Sequence, residues 1–303
     1  MMMRVATFAQ SDQMIAGALR TQAVMANEQV QESSGLKAEE FGGYGSGAGR
    51  VINLQVSVTR SQSYIDAAKL ADSKVQVMYS AVGSMTDIIT QLRTQLSAAT
   101  TGSSSTATGA VVNYAQQALS QMQGLLNTQY DGEYVFSGAR TDTAPVDLTS
   151  FATGAGSLTT ADTSYYQGDG EIATVRVSDS QSVSYGVTAD NSAFEQVLRL
   201  LKFVGNSPSL SASDVSQALD LAGNALDASS TVQAKLSTAA SQIEAVSASQ
   251  SDYQNFAQTL STDLTSVDVA AVTAQLATYQ AQLTASYSAI SKIQSMNLAS
   301  YLR

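Results

Sequence analysis

The chain has no cysteine, no histidine and no tryptophan. Without cysteine there is no disulfide framework and no thiolate nucleophile. With neither His nor Cys, a zinc site or a Ser-His triad lacks its members. Proline occurs twice, at Pro145 and Pro208, so long stretches are free of helix breakers. Charged residues make up 13% of the chain, about half the usual share for soluble domains. Basic residues are outnumbered 15 to 25, for a net charge of −10. That balance argues against a nucleic-acid binder, which needs a basic face to displace counterions. It also argues against a polybasic membrane anchor. No run of 18 apolar residues occurs, so no membrane span is expected. The opening MMMRVATFAQSDQMIAGALR has no continuous apolar stretch of signal-peptide length. On composition alone the expectation is a cytoplasmic protein, or one that leaves the cell without a cleaved signal.

What is present is helical patterning. Phe8, Ile15, Leu19, Ala23, Ala26 and Val30 recur at helical steps from Val5 to about Ser33. A glycine-rich stretch, SSGLKAEEFGGYGSGAGR, then predicts a loop or hinge. A phosphate-cradling loop would need a preceding strand, and a helix precedes this one. Helix resumes over about 51–99, with Val58, Ile65, Val75, Met78, Val82, Met85, Ile89, Leu92 and Leu96 on one face. After TTGSSSTATG, a further helix over 110–128 predicts an antiparallel hairpin with the one before. The serine- and threonine-rich surface is soluble but weakly self-repelling, which suits self-association.

The character changes near residue 130. Asp131-Gly132 and Gly168-Asp169-Gly170 read as turns. EYVFSG, the run Ile172–Val175–Val177 and the alternation Val183–Tyr185–Val187 read as strands. Asp169 and Glu171 belong to a solvated turn rather than a calcium site, which needs six to eight oxygens. Tyr165 and Tyr166 suit a strand with one ring buried and one exposed; a sugar-stacking pair is the alternative. Helices return at 193–204 and over 215–266, where Ser213 or Asp214 is the expected cap.

The closing helix has heptad spacing. Val269, Leu276, Leu283 and Ile290 are each seven apart, with Val272, Tyr279 and Ile293 on the companion positions. From Ala274 to Arg303 the charged side chains are Lys292 and Arg303. So few flanking charges point to burial among several helices rather than a free two-stranded dimer. The expected fold is mainly α with an inserted β domain. It comprises a terminal coiled-coil-like assembly domain (1–35 and 267–303), a long-helix rod domain (36–129 and 191–266) and a small β-rich outer domain (130–190). The candidate assembly seam is Phe8, Ile15, Leu19, Val30, Val269, Val272, Leu276, Tyr279, Leu283, Ile290 and Ile293. A helix whose apolar row finds no cover is marginal alone in water, so the ends are expected to order in an assembly.

The closing LTASYSAISKIQSMNLASYL resembles the C-terminal helix of the flagellin family. The opening MRVATFAQSDQMIAGALRTQ, followed by SSGLK, is similar in placement to that family's N-terminal helix and turn. LNTQYDGEYVFSGARTDTAPV, with YYQGDGEIATVRV and AFEQVLRLL, resembles the hook-associated protein 3 branch of the family. The resemblance implies a structural, non-enzymatic subunit at the hook–filament junction of the bacterial flagellum. It implies a homo-oligomeric ring, with the hook or another hook-associated protein on one side and flagellin on the other. It further implies an export chaperone and the flagellar type III secretion apparatus, with no cleaved signal, and so an extracellular appendage. No cofactor and no metal are implied, and no catalytic residue. Two alternatives stand beside it: flagellin itself, and a flagellin-like surface protein whose β insert reads polysaccharide.

Overall fold

A computed structural model describes residues 2–101, 105–149, 151 and 158–295; of 2–10, 100–101, 105–108 and 294–295 it describes the backbone alone. The described elements run α1 (Met2–Ser34), a 3-10 helix (Phe41–Gly47), α2 (Ala48–Thr101), α3 (Ser105–Leu126), β1 (Gln129–Tyr130), β2 (Glu133–Tyr134), β3 (Thr174–Arg176), β4 (Ser182–Ser184), α4 (Ser192–Asn206), α5 (Ala212–Thr265) and α6 (Val269–Ser295). The chain divides into two compact units, one of residues 1–59 and 254–303, the other of residues 60–253. The dividing points fall inside α2 and α5. No described helix is long and apolar enough to cross a membrane.

The larger unit holds the main core. Along α2, Ala68, Ala71, Val75, Met78, Val82, Met85, Ile89, Leu92 and Leu96 are buried at steps of three and four, so one stripe of the helix faces inward. The Tyr114 hydroxyl donates to the Ile88 carbonyl at 3.2 Å, binding α3 against α2 as the expected antiparallel pair. Ser61 donates to Gln250 Oε1 at 3.1 Å, joining α2 to α5. The short helix α4 packs on α3 and buries Phe194, Val197, Leu198, Leu200, Leu201 and Val204. Asn191 caps it, accepting from the Ala193 N–H at 3.1 Å.

The β region is thinner than the sequence suggests. β1 and β2 pair through a two-residue turn, with Asp131 at φ 53° and Gly132 at φ 79°. Both central residues of that turn type need positive φ, which is why Asp-Gly stands there. The strand expected over EYVFSG ends at Tyr134. Val135 to Gly138 instead turn inward, because Phe136 is fully buried and takes its ring to Phe194. β3 and β4 form a second hairpin, with Val175 opposite Val183.

Two other expectations change at helix ends. The glycine-rich stretch is ordered in part: Phe41–Gly47 forms a 3-10 turn broken at Gly45, and α2 starts directly after it. The cap before α5 lies a little upstream of the expected residues. Ser211 accepts from the Asp214 N–H at 3.1 Å while Asp214 Oδ2 accepts from the Ser211 N–H at 3.0 Å, a reciprocal capping box. α5 and α6 are separate helices, as the two segments read from the sequence are. Asp268 accepts from the N–H groups of Ala270 and Ala271 at 3.0 and 3.2 Å and starts α6 anew.

Candidate assembly surface

The smaller unit is built on α1 and α6, which pack against each other. Gly35 ends α1 in the left-handed region, with φ 71°, and donates its N–H to the Gln31 carbonyl at 2.8 Å. The chain then forms a one-rung bridge to the α5–α6 connection, Leu36 opposite Ser266. Lys37 N–H donates to the Thr265 carbonyl at 2.7 Å, and Val267 N–H to the Gly35 carbonyl at 3.0 Å. The Lys37 ammonium donates to the carbonyls of Asp263 and Leu264 at 3.2 and 2.9 Å. It thereby satisfies two open carbonyls at the end of α5 and complements that helix's negative pole. The SSGLK turn is therefore a clip that sets how α1 meets α6. One turn back, Thr273 on α6 donates its hydroxyl to Glu32 Oε1 at 2.8 Å.

From that clip the two helices run as a pair with seven-residue registers. On α6, Val272, Leu276 and Leu283 are buried, and Tyr279, Ser286, Ile290 and Ile293 are half-buried on the same row. On α1 the covered row is Ser11, Met14, Ala18, Thr21, Met25, Glu28 and Glu32, alternating steps of three and four, with Ala18 buried. Burying an aliphatic side chain contributes about 1.5–3 kcal/mol, so most of the attraction comes from the α6 side. The α1 row sets Met14, Ala18 and Met25 among polar and acidic residues and contributes less.

The expected seam residues therefore fall into two sets. Val272, Leu276, Tyr279, Leu283, Ile290 and Ile293 lie on the covered row within this chain. Ile15, Leu19, Val30 and Val269 lie outside it and are exposed, Leu19 by 59%. Phe8 is on α1, but its side chain lies outside the described residues, as does the closing segment 296–303. Val24 is exposed as well. Reading by large aliphatic residues alone picks the open face of α1 and misses the covered one. The spacing of Met14, Ala18, Thr21 and Met25 was the signal for it. The clip residues Lys37 and Thr265 carried no sequence signal of their role.

A second feature braces the larger unit. The side-chain amide of Asn127 donates to the Val146 carbonyl and accepts from its N–H, both at 2.9 Å. Asp169 Oδ1 accepts from the N–H of Ala139 at 2.8 Å and of Glu171 at 3.1 Å. Gly138, at φ 75°, lies so close to Asp169 that a Cβ there would overlap its carboxylate. Phe136 meets Phe194 edge-on, with ring centroids 5.7 Å apart. Glu195, nearly buried, pairs with Arg199 and accepts from the Asp162 N–H at 3.0 Å. Residues 127–146, 165–169 and 189–195 are thus one cross-braced module.

The tyrosine pair is part of this module. Tyr165 is fully buried, donates to the Ala189 carbonyl at 3.0 Å and packs edge-on against Phe151. Burial pushes its hydroxyl pKa far upward, with Glu195 adding to the shift. Tyr166 is half-buried, with its hydroxyl bonded to the Asp169 carbonyl and its pKa also raised by burial. The two rings share no open face on which a sugar could stack. Among the described residues no group of three or more acidic side chains could hold a metal ion.

Residues 5–141 match the family model described as the bacterial flagellin N-terminal helical region. The matched stretch spans most of α1, the SSGLK turn of the clip, α2, α3 and the start of the braced module. The fold is similar to that of a putative flagellar hook-associated protein from Vibrio parahaemolyticus, with a TM-score of 0.60 and 14% identity. That match covers 72% of this chain and 97% of the other. Bacillus cereus FlgL aligns at 13% identity with a TM-score of 0.43, over 72% of this chain and 98% of that one. Flagellar hook-associated protein 3 from Legionella pneumophila aligns at 14% identity with a TM-score of 0.46, over 71% and 97%. No curated protein matches the chain.

Proposed function

We propose that this chain is a structural subunit of the bacterial flagellum at the hook–filament junction, joined to other copies through its terminal helices. The match of residues 5–141 to the flagellin N-terminal helical region supports a structural role in that appendage. The observation that carries the assembly reading is the division of apolar rows between α1 and α6. The α6 row is covered within the chain, whereas Ile15, Leu19 and Val30 stand open on α1. An aliphatic row of this kind on a paired helix is suited to cover by a further helix. In this reading neighbouring copies supply that helix and close into a ring.

The junction rather than the filament is favoured by LNTQYDGEYVFSGARTDTAPV. Its Asn127, Phe136 and Gly138 are the bracing points of the module, so the resemblance to the hook-associated branch falls on residues with structural work. The fold likeness to the Vibrio protein agrees with this. The partners in this reading are further copies of the chain, the hook or another hook-associated protein on one side, and flagellin on the other. An export chaperone and the type III apparatus would deliver the chain without a cleaved signal.

Flagellin is the second reading, favoured by the family model itself. Immunogold labelling of intact flagella decides between them. One narrow band where hook meets filament is the expected result, with hooks lacking filaments in a deletion strain. Label along the whole filament would overturn the junction reading and support the filament one.

A further inference from the structure

A groove of about 580 Å³ lies between the β3–β4 hairpin and α5, wholly within the larger unit. One wall is the end of β4 and the extended chain after it, residues 184–188. Tyr185 and Gly186 both donate their N–H groups to the Ala173 carbonyl, at 2.9 and 3.2 Å. Two residues thus oppose one, which is a β-bulge. Ser184 sits between the bonded pairs 175–183 and 173–185, so its own N–H and C=O turn away from β3. Beyond the bulge, the N–H and C=O of Val187 have no hydrogen-bond partner among the described residues. The sheet has two strands, so this side of β4 is an open edge.

The opposite wall is α5. Val232, Leu236 and Ala239 are buried and make the groove's apolar floor. Lys235, exposed at the rim, is the one charged side chain among the described lining residues. Among the described residues no carboxylate pairs with it. Thr188 also lines the groove and is 8% exposed, and its hydroxyl has no hydrogen-bond partner among the described residues. A hydroxyl so far withdrawn from bulk water gains from a partner. An open edge beside an apolar trough suits an added strand: main-chain bonds hold it, and alternate side chains enter the trough. The unanswered ammonium selects the charge of what binds. We infer that this groove docks an extended peptide segment of a partner protein, one that alternates aliphatic residues with a carboxylate. The segment pairs with β4 at Ser184 and Val187 and sets its acid on Lys235. The site is separate from the terminal helices and does not rest on the junction reading.

Fluorescence anisotropy with the full-length chain tests it. The probe is a labelled, acetylated and amidated peptide of alternating valine and glutamate. It should bind saturably, about tenfold tighter than the same peptide with lysine in place of glutamate. Lys235→Glu should reverse that preference. Methylating the peptide's amide nitrogens removes its main-chain donors and keeps every side chain, and should weaken binding by about tenfold. Thr238→Trp, at an exposed position of α5 on the groove, should block binding and leave helix content unchanged. No saturable binding at millimolar peptide would overturn the inference. So would equal binding of the methylated peptide, a charge preference unchanged in Lys235→Glu, or binding that survives Thr238→Trp. Dimerisation of the free chain that Thr238→Trp abolishes would assign the groove to a second copy and overturn it as well.

Discussion

Asn127, at the end of α3, holds both backbone polar groups of Val146, each at 2.9 Å, across a loop that contains the β1–β2 hairpin. Val146 is 1% exposed, so water cannot replace the amide. One side chain thereby closes the segment from Thr128 to Pro145 onto the helix that precedes it.

Replacing Asn127 should therefore cost more than a surface change. Asn127→Ala leaves the buried Val146 N–H unsatisfied, at about 1–3 kcal/mol, and its C=O with only the long 3.4 Å bond from Gln123. Asn127→Asp keeps the acceptor and loses the donor, and should destabilise through the carbonyl and its facing charge. Urea unfolding followed by circular dichroism should show a lowered midpoint for both. An unchanged midpoint for Asn127→Ala would show that the clamp contributes nothing.

The edge-on contact of Phe136 with Phe194 should be separable from the burial of each ring. Phe→Ala at either position should cost about 3–5 kcal/mol. In a double-mutant cycle the coupling should be about 0.5–1.5 kcal/mol. Strict additivity of the two changes would mean that the rings pack independently.

The two sets of terminal residues should behave differently under charge insertion. Leu276→Asp puts an unpaired charge on the covered row, so it should open the α1–α6 pair and block incorporation into flagella. Leu19→Asp lies on the open face of α1, so the free chain should keep its wild-type helix content and exchange pattern. In the junction reading it should nonetheless fail to incorporate. Normal incorporation of Leu19→Asp would remove the α1 face from the assembly surface.

Tyr165 should shape the alkaline limb of stability. Burial raises its folded pKa above the ordinary tyrosine value. A raised folded pKa gives a contribution that is complete below the unfolded pKa of about 10 and lost as pH rises beyond it. The unfolded chain then ionises at Tyr165 while the folded one does not. Stability measured by urea unfolding should fall between pH 9 and about 11, with tyrosinate absorbance at this position appearing on unfolding. Tyr165→Phe should flatten that fall, while at pH 7 it should lose about 1 kcal/mol for the bond to the Ala189 carbonyl. An equally steep alkaline fall in Tyr165→Phe would assign the effect to other tyrosines.

Much of the architecture is legible along the chain. Long runs without proline, with apolar residues at helical steps, become α2 and α5. The Asp131-Gly132 pair becomes a tight hairpin because few residues accept positive φ there. The row Val272, Leu276, Tyr279 and Leu283 is inward-facing in the pair, as its spacing indicates. These features depend on chemistry repeated over short distances, so local sequence is enough to determine them.

Tertiary structure alone decided the rest. Periodicity says that Ile15 and Leu19 share a face of α1, but not whether that face is the one laid on α6. The clip at Lys37 made that choice, and its partners at 263–265 are more than two hundred residues away. YVFSG has the composition of a strand, yet the burial of Phe136 against Phe194 turns it out of one. Glu28 and Glu32 look alike in the sequence. One finds a hydroxyl across the helix pair and the other finds none, because a hydrogen bond depends on distance through space and not on position along the chain.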